Sequence, residues 1–151
     1  MAEKDVEKII TSELQTLLSL IGVKADVSVE QIDNYYHVTL DSEDNALLIG
    51  RYGDTLSSLE HILALLVSQK NDEFVPLTLE IGGYRRERES YLKDLAERVR
   101  DEVVATGREK VLSDLKPWER RVIHMYLSED EEIVSESVGE GRSRVLTVRK
   151  K

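Results

Sequence analysis

The sequence predicts an α+β protein made of two small modules, each with helices packed on one face of a sheet. Stretches of helical apolar spacing alternate with short runs of strict two-residue alternation along all 151 residues. A glycine pair, Gly82-Gly83, interrupts this pattern near the middle. The charge changes at the same place. Residues 1–82 carry 5 Lys and Arg against 15 Asp and Glu, a net of −10, and residues 83–151 carry 16 against 15, a net of +1, giving −9 overall. The expected domains are therefore residues 1–82 and 83–151.

In the first module, Val6, Ile9, Ile10, Leu14, Leu17, Leu18 and Ile21 recur at helical spacing over 4–21, and Gly22 supplies a helix stop. Ala25, Val27 and Val29 alternate with Asp26, Ser28 and Glu30 in a half-buried strand. Asp33-Asn34 marks a turn, and Tyr36, Val38 and Leu40 make the second arm of a hairpin. Ser42 or Asp44 is placed to cap a short helix over 46–49. Beyond Gly50-Arg51-Tyr52-Gly53, a helix over 54–70 presents Leu56, Leu59, Ile62, Leu63, Leu66 and Val67, and Asn71-Asp72-Glu73 ends it. Pro76 opens a strand carrying Leu77, Leu79 and Ile81.

The second module begins with a long helix from Tyr84 to about Thr106, with Tyr91, Leu92, Leu95, Val99, Val103 and Val104 expected inside, and Gly107 stops it. A short extended piece at 109–112 follows. Pro117 sits at the first turn of another helix, where its missing N–H costs nothing, and that helix runs to about Leu127. Two alternating strands near 132–138 and 144–149 close the chain around a glycine turn. The element order is α-β-β-α-α-β, then α-β-α-β-β.

Composition removes several classes of function. The chain has no cysteine, so disulfides, thiolate metal sites and cysteine nucleophiles are excluded. No apolar run reaches the length of a membrane span, and the charged N-terminus is unlike a signal peptide, so a soluble cytoplasmic protein without membrane insertion is expected. His37 reads as a half-exposed strand residue and His61 as a packing residue; neither has a second ligand at metal spacing. Glu129-Asp130-Glu131-Glu132 reads as a solvated acid run. With no nucleophile–base pair, Walker loop or zinc signature, neither an enzyme nor a cofactor is expected.

Two features point to ligand binding. Gly50-Arg51-Tyr52-Gly53 joins two helices. Glycines allow close backbone approach, and the helix starting near Asp54 directs its free N–H groups at the loop. Arg51 adds a positive charge and Tyr52 a stacking surface, which suits a single-stranded sugar-phosphate backbone. A plain helix–helix turn has the same spacing. The second feature is Arg120 and His124, four residues apart and therefore one turn apart on one helix face. An arginine fork beside an imidazole can hold a phosphate or stack on a base; it also fits a solvated face. Arg121 flanks this pair, and Arg85, Arg86 and Arg88 open the long helix. Positive charge in a first turn opposes the helix dipole, so helix stability alone does not explain that cluster. Relief by Glu87 and by an Arg85–Glu89 pair is the competing explanation. Trp118 reads as a core residue holding the motif helix against its sheet.

Residues 4–82 resemble a type II KH domain, whose Gly-x-x-Gly loop lies between its last two helices; Gly50-Arg51-Tyr52-Gly53-Asp54-Thr55-Leu56 is similar to a bacterial Gly-Arg-x-Gly-Glu-Thr-Leu form, with Tyr52 where relatives often carry a basic residue. Residues 84–151 resemble the R-three-H domain. The matching segments are Tyr84-Arg85-Arg86-Glu87-Arg88, Pro117-Trp118-Glu119-Arg120-Arg121 with His124, and Ser135-Glu136-Ser137-Val138-Gly139-Glu140-Gly141. One domain following directly on the other resembles the Jag/KhpB family of bacterial RNA-binding proteins, in a short form without the N-terminal Jag domain. The resemblance implies a non-catalytic regulator that binds single-stranded RNA, or alternatively single-stranded DNA. Gly50, Arg51, Tyr52, Gly53, Arg85, Arg86, Arg88, Arg120, Arg121 and His124 would be its contacts. It further implies a small KH-only partner protein and a connection with cell division, cell shape and envelope growth. A protein-interaction adaptor whose acidic first module docks another protein is the alternative.

Overall fold

The computed structural model describes residues 3–151 and contains two compact units that part after Tyr84, two residues beyond Gly82. The first holds α1 (Glu3–Ile21), β1 (Asp26–Ile32), β2 (Tyr35–Asp41), α2 (Asn45–Ile49), α3 (Asp54–Asn71) and β3 (Leu77–Ile81). Its sheet has the order β1-β2-β3. The hairpin pairs Val29 with Val38 antiparallel, and β3 lies parallel to β2 with Leu79 opposite Val38. A parallel neighbour needs a crossover, and α2 and α3 supply it.

The core of this unit is made where α1 and α3 meet the inward face of the sheet. Ile10, Leu14 and Leu18 from α1 pack with Leu56, Leu63 and Val67 from α3 and with Val38, Leu40, Leu79 and Ile81 from the strands, all nearly solvent-free. The buried stripe of α3 is Leu56, Leu59, Leu63 and Val67. Ile62, expected on it, is 46% exposed, and His61, expected to pack, is also exposed. Ile62 lies one residue and His61 two residues before Leu63, and both face solvent. Glu13 in α1 is buried and paired with Lys70 at the end of α3. Glu60 of α3 accepts the Leu79 backbone N–H at 2.8 Å, which satisfies a donor on edge strand β3.

The second unit holds most of α4 (Tyr84–Thr106), then β4 (Lys110–Leu112), α5 (Pro117–Leu127), β5 (Ile133–Val138) and β6 (Val145–Lys150). Its antiparallel sheet has the order β4-β6-β5. Leu92, Ala96, Val99 and Val103 of α4 pack with Ile123 and Leu127 of α5 on Ile133, Leu146 and Val148. Trp118 packs against the same core, half-buried. The stripe on α4 therefore runs through Leu92 and Ala96, and Tyr91, expected inside, is 49% exposed. The Arg88 guanidinium covers its ring, 5.0 Å from the centroid.

The acid run after α5 is a structural tie. Asp130 Oδ2 accepts from Arg100 Nε at 2.9 Å, and Glu132 Oε1 accepts from Arg100 Nη2 at 3.2 Å, which joins the middle of α4 to the start of β5.

Candidate functional site

In the first unit, the glycine loop is built by backbone geometry. Asn45 fixes the entry to α2: its Oδ1 accepts the Ser42 N–H and its Nδ2 donates to Asp41 Oδ1, both at 2.9 Å. Asp44 takes the N-cap position without a side-chain cap bond, and the Ser42 hydroxyl instead accepts the Asp44 N–H at 3.1 Å. Gly50 then adopts φ +71 and ψ −174, a region open essentially to glycine alone. A Cβ there would stand 2.1 Å from Thr55 Oγ1. Gly53 sits at φ +75 as the N-cap of α3, and a Cβ on it would meet the Tyr84 ring at 2.7 Å.

Between these glycines, Arg51 and Tyr52 form a short 3-10 turn and both side chains are exposed. Tyr52 is itself left-handed at φ 54. The Arg51 guanidinium stacks on its ring, 5.3 Å from the centroid. Arg51 is the single arginine among residues 1–82, and it stands at the loop tip.

In the second unit, Glu119 and Arg88 set the geometry. Glu119 is 1% exposed. One of its oxygens accepts from Arg88 Nε at 2.9 Å and the other from the Lys116 backbone N–H at 3.1 Å. That closes the start of α5 and ties it to the first turns of α4. Arg88, expected as a ligand contact, thus holds a buried ion pair through its Nε. Glu89 pairs with Lys93 at 3.0 Å.

Arg120, Arg121 and His124 share α5, but their environments differ. Arg120 is half-buried, and its Nη1 donates to the Leu115 carbonyl at 2.6 Å, closing the loop before Pro117. Arg121 is exposed and has no ion pair among the described residues. His124 is exposed, with Nδ1 hydrogen-bonded at 2.8 Å to the hydroxyl of Ser135, a buried residue of β5. That bond fixes the ring plane and leaves Nε2 toward solvent. Arg85 and Arg86 lie in the first turn of α4, Arg85 half-buried and Arg86 exposed.

The structure therefore brings Arg120, Arg121 and His124 together on α5 and ties α4 to them through Arg88. The loop of Gly50, Arg51, Tyr52 and Gly53 belongs to the other unit. Sequence reading missed Ser135 and Glu119. Their signals were present as a serine on the inward register of β5 and as an acid three residues after the cap of a Pro-initiated helix. Among the described residues no group of three or more His, Cys, Asp or Glu is placed to hold a metal ion, and no helix is long and apolar enough to cross a membrane. The chemistry on offer is that of guanidinium, imidazole and phenol groups facing solvent, suited to anionic oxygens and flat rings.

Residues 90–150 match the R-three-H domain family. The chain is 32% identical over 129 residues to the RNA-binding protein KhpB of Clostridium symbiosum, covering 84% of this chain and 58% of that one. It is 34% identical over 142 residues to the protein of that name in Bacillus subtilis (strain 168), covering 91% and 67%. With the KhpB of Lactiplantibacillus plantarum it shares 28% identity over 147 residues, 97% of this chain and 46% of that one. The chain thus spans roughly half of the Clostridium and Lactiplantibacillus relatives. An R-three-H match that contains the Arg120–His124 helix, with similarity continuing across the glycine-loop unit, fixes the relationship: the chain belongs to the KhpB family.

Proposed function

We propose that this chain is a non-catalytic, cytoplasmic RNA-binding protein that takes single-stranded RNA on two modules, a type II KH domain over residues 1–82 and an R-three-H domain over 83–151. The relatives named above are RNA-binding proteins, which supports the ligand class. The observation that carries the reading is the placement of Arg51. In a unit of net charge −10, its one arginine stands exposed at the tip of a glycine loop, stacked on an exposed tyrosine. A cation and a π-face at a loop tip match the backbone-plus-stacking mode of single-strand recognition. In the second unit Arg121 and His124 supply the corresponding groups, and Arg86 adds charge. Joining two weak sites on one chain raises the effective concentration of the second once the first is engaged. The connection with post-transcriptional control, cell division, cell shape and envelope growth, and with a small KH-only partner, rests on the family resemblance.

Fluorescence anisotropy with labelled random-sequence single-stranded RNA tests the reading. Arg51→Asp with Tyr52→Asp, and separately Arg121→Gln with His124→Ala, should each weaken binding at low salt while circular dichroism and thermal midpoint stay at wild-type values. Wild-type affinity in both double variants would overturn it. The same oligonucleotide as DNA measures the contribution of the 2′-hydroxyl.

One observation favours protein docking as a second reading. The outward face of the first sheet presents Asp26, Glu30 and Asp41, exposed and without a lysine or arginine among them. That face repels a phosphate backbone and suits a basic protein surface. Recovery of a stable protein partner from cells, with no cross-linked RNA, would favour it.

A further inference from the structure

Strand β5 holds a second basic group in the way it holds His124. Residues 135 and 137 are two apart, so their side chains project from the same side of the strand. Ser135 bonds the His124 ring at 2.8 Å. The Ser137 hydroxyl accepts from Arg144 Nε at 2.7 Å. Arg144 immediately precedes β6, whose Leu146 lies opposite Ser137. Two serines on one face of one strand thus orient an imidazole and a guanidinium.

The direction of the strip follows from the chain path. A five-residue link joins Leu127 to Ile133, and His124, one turn before the end of α5, meets Ser135, the third residue of β5, so β5 returns alongside α5. Moving from Ser135 to Ser137 leads toward the start of α5, where Arg120 and Arg121 lie. The step between the serines is about 6.6 Å, comparable with the spacing of adjacent phosphates in an extended strand. Charge separates the two faces of β5. On the opposite face Glu136 takes Arg149 at 3.3 Å. Among the described residues no carboxylate pairs with Arg121, His124 or Arg144.

We infer that Arg144, oriented by Ser137, is a further phosphate contact that continues the Arg121–His124 surface across the end of the sheet. The ligand is a single-stranded nucleic-acid backbone, so the inference rests on the RNA-binding reading above. Nε is held by the serine, which leaves the Nη1 and Nη2 edge of the fork for a phosphate oxygen. Ser137 is a positioning residue: it limits the rotamers of Arg144 before the ligand arrives.

The test is a salt titration of RNA binding by the full chain with Arg144→Gln, Ser137→Ala and Ser137→Thr, beside Arg121→Gln and His124→Ala as references. Arg144→Gln should weaken binding about fivefold at low salt and reduce the log–log salt slope by roughly 0.7, one phosphate on a single strand. Ser137→Ala should weaken binding about threefold with the slope unchanged, the effect of releasing one long side chain. Ser137→Thr, which keeps the hydroxyl, should restore wild-type affinity. If Arg121→Gln and His124→Ala weaken binding but Arg144→Gln leaves affinity and slope at wild type, the inference fails and the RNA reading stands. Wild-type binding in all of them overturns the inference and the second unit's part in the RNA reading, which then stands or falls on Arg51→Asp with Tyr52→Asp.

Discussion

Glu119 lies buried at the start of α5 with Arg88 Nε 2.9 Å from one carboxylate oxygen, while its other oxygen closes the helix start on the Lys116 N–H at 3.1 Å. One carboxylate therefore fixes both the helix that carries Arg121 and His124 and its position against α4. Removing one member of a buried pair leaves the other charge without compensation, which costs about 3–5 kcal/mol. Glu119→Ala should lose that much in urea unfolding. Arg88→Met should lose at least as much, because it strands a carboxylate that is 1% exposed, whereas Glu119→Ala strands an arginine that keeps 15% exposure. Arg88→Met should also leave the salt slope of RNA binding unchanged. A slope lower by about 0.7 would instead make Arg88 a phosphate contact.

Gly50 separates folding from binding in the glycine loop. Gly50→Asp is the obvious change to disable such a loop, and Gly50 is where the backbone least tolerates it. A side chain there meets Thr55 Oγ1 at 2.1 Å from φ +71 and ψ −174. Gly50→Ala should cost about 3 kcal/mol in thermal or urea unfolding, from backbone strain together with local overpacking. A variant at wild-type stability would mean that the loop takes another conformation.

Tyr52 carries the opposite trade. It holds φ 54 without being glycine. The left-handed region costs an ordinary L-residue about 1–2 kcal/mol, part of which glycine returns as chain entropy. Tyr52→Gly should thus raise stability by up to about 1 kcal/mol while removing the ring under Arg51 and weakening RNA binding. Reduced affinity together with reduced stability would contradict this.

Much of this architecture was legible in the chain. The ends of α3 and α4 follow Gly53, Asp72 and Gly107, whose left-handed backbones are written in the residue types or turn signals. The periods of β1, β2 and β6 place Val38, Leu40, Leu146 and Val148 inside, as found. Side-chain partners were less legible. Arg88 and Glu119 are 31 positions apart, and no local pattern announces that one arginine of a cluster pairs with a buried acid. Asp130 read as a solvated acid because Arg100 reaches it from 30 residues away. Tyr91 was misplaced because it sits one step from the true stripe at Leu92, and in long polar helices neighbouring apolar residues compete for the seam; His61 lies midway between Leu59 and Leu63 and so faces away from their stripe. The basic surface was read as a set of charges. Its orientation by Ser135 and Ser137 depends on strand register, which tertiary structure supplies.

The tie at Arg100 makes the second unit sensitive to acid. The Asp130 carboxyl is held below the usual carboxylate range, first by the Glu132 backbone N–H at 2.8 Å and then by Arg100, against an opposing effect of burial. A group whose pKa falls on folding contributes stability above its unfolded value, about 3.9 for aspartate, and loses it as pH drops through the lower folded value. Between neutral pH and about 5 this contribution should be constant. Below about 4 the urea midpoint should fall, because the unfolded chain then binds a proton that the folded one excludes. Asp130→Asn should lower the midpoint at neutral pH and flatten the acid limb, since the group no longer titrates. Arg100→Gln should also flatten the limb, but less, because the backbone donors to Asp130 remain. An acid limb as steep in Asp130→Asn as in wild type would rule Asp130 out as its source.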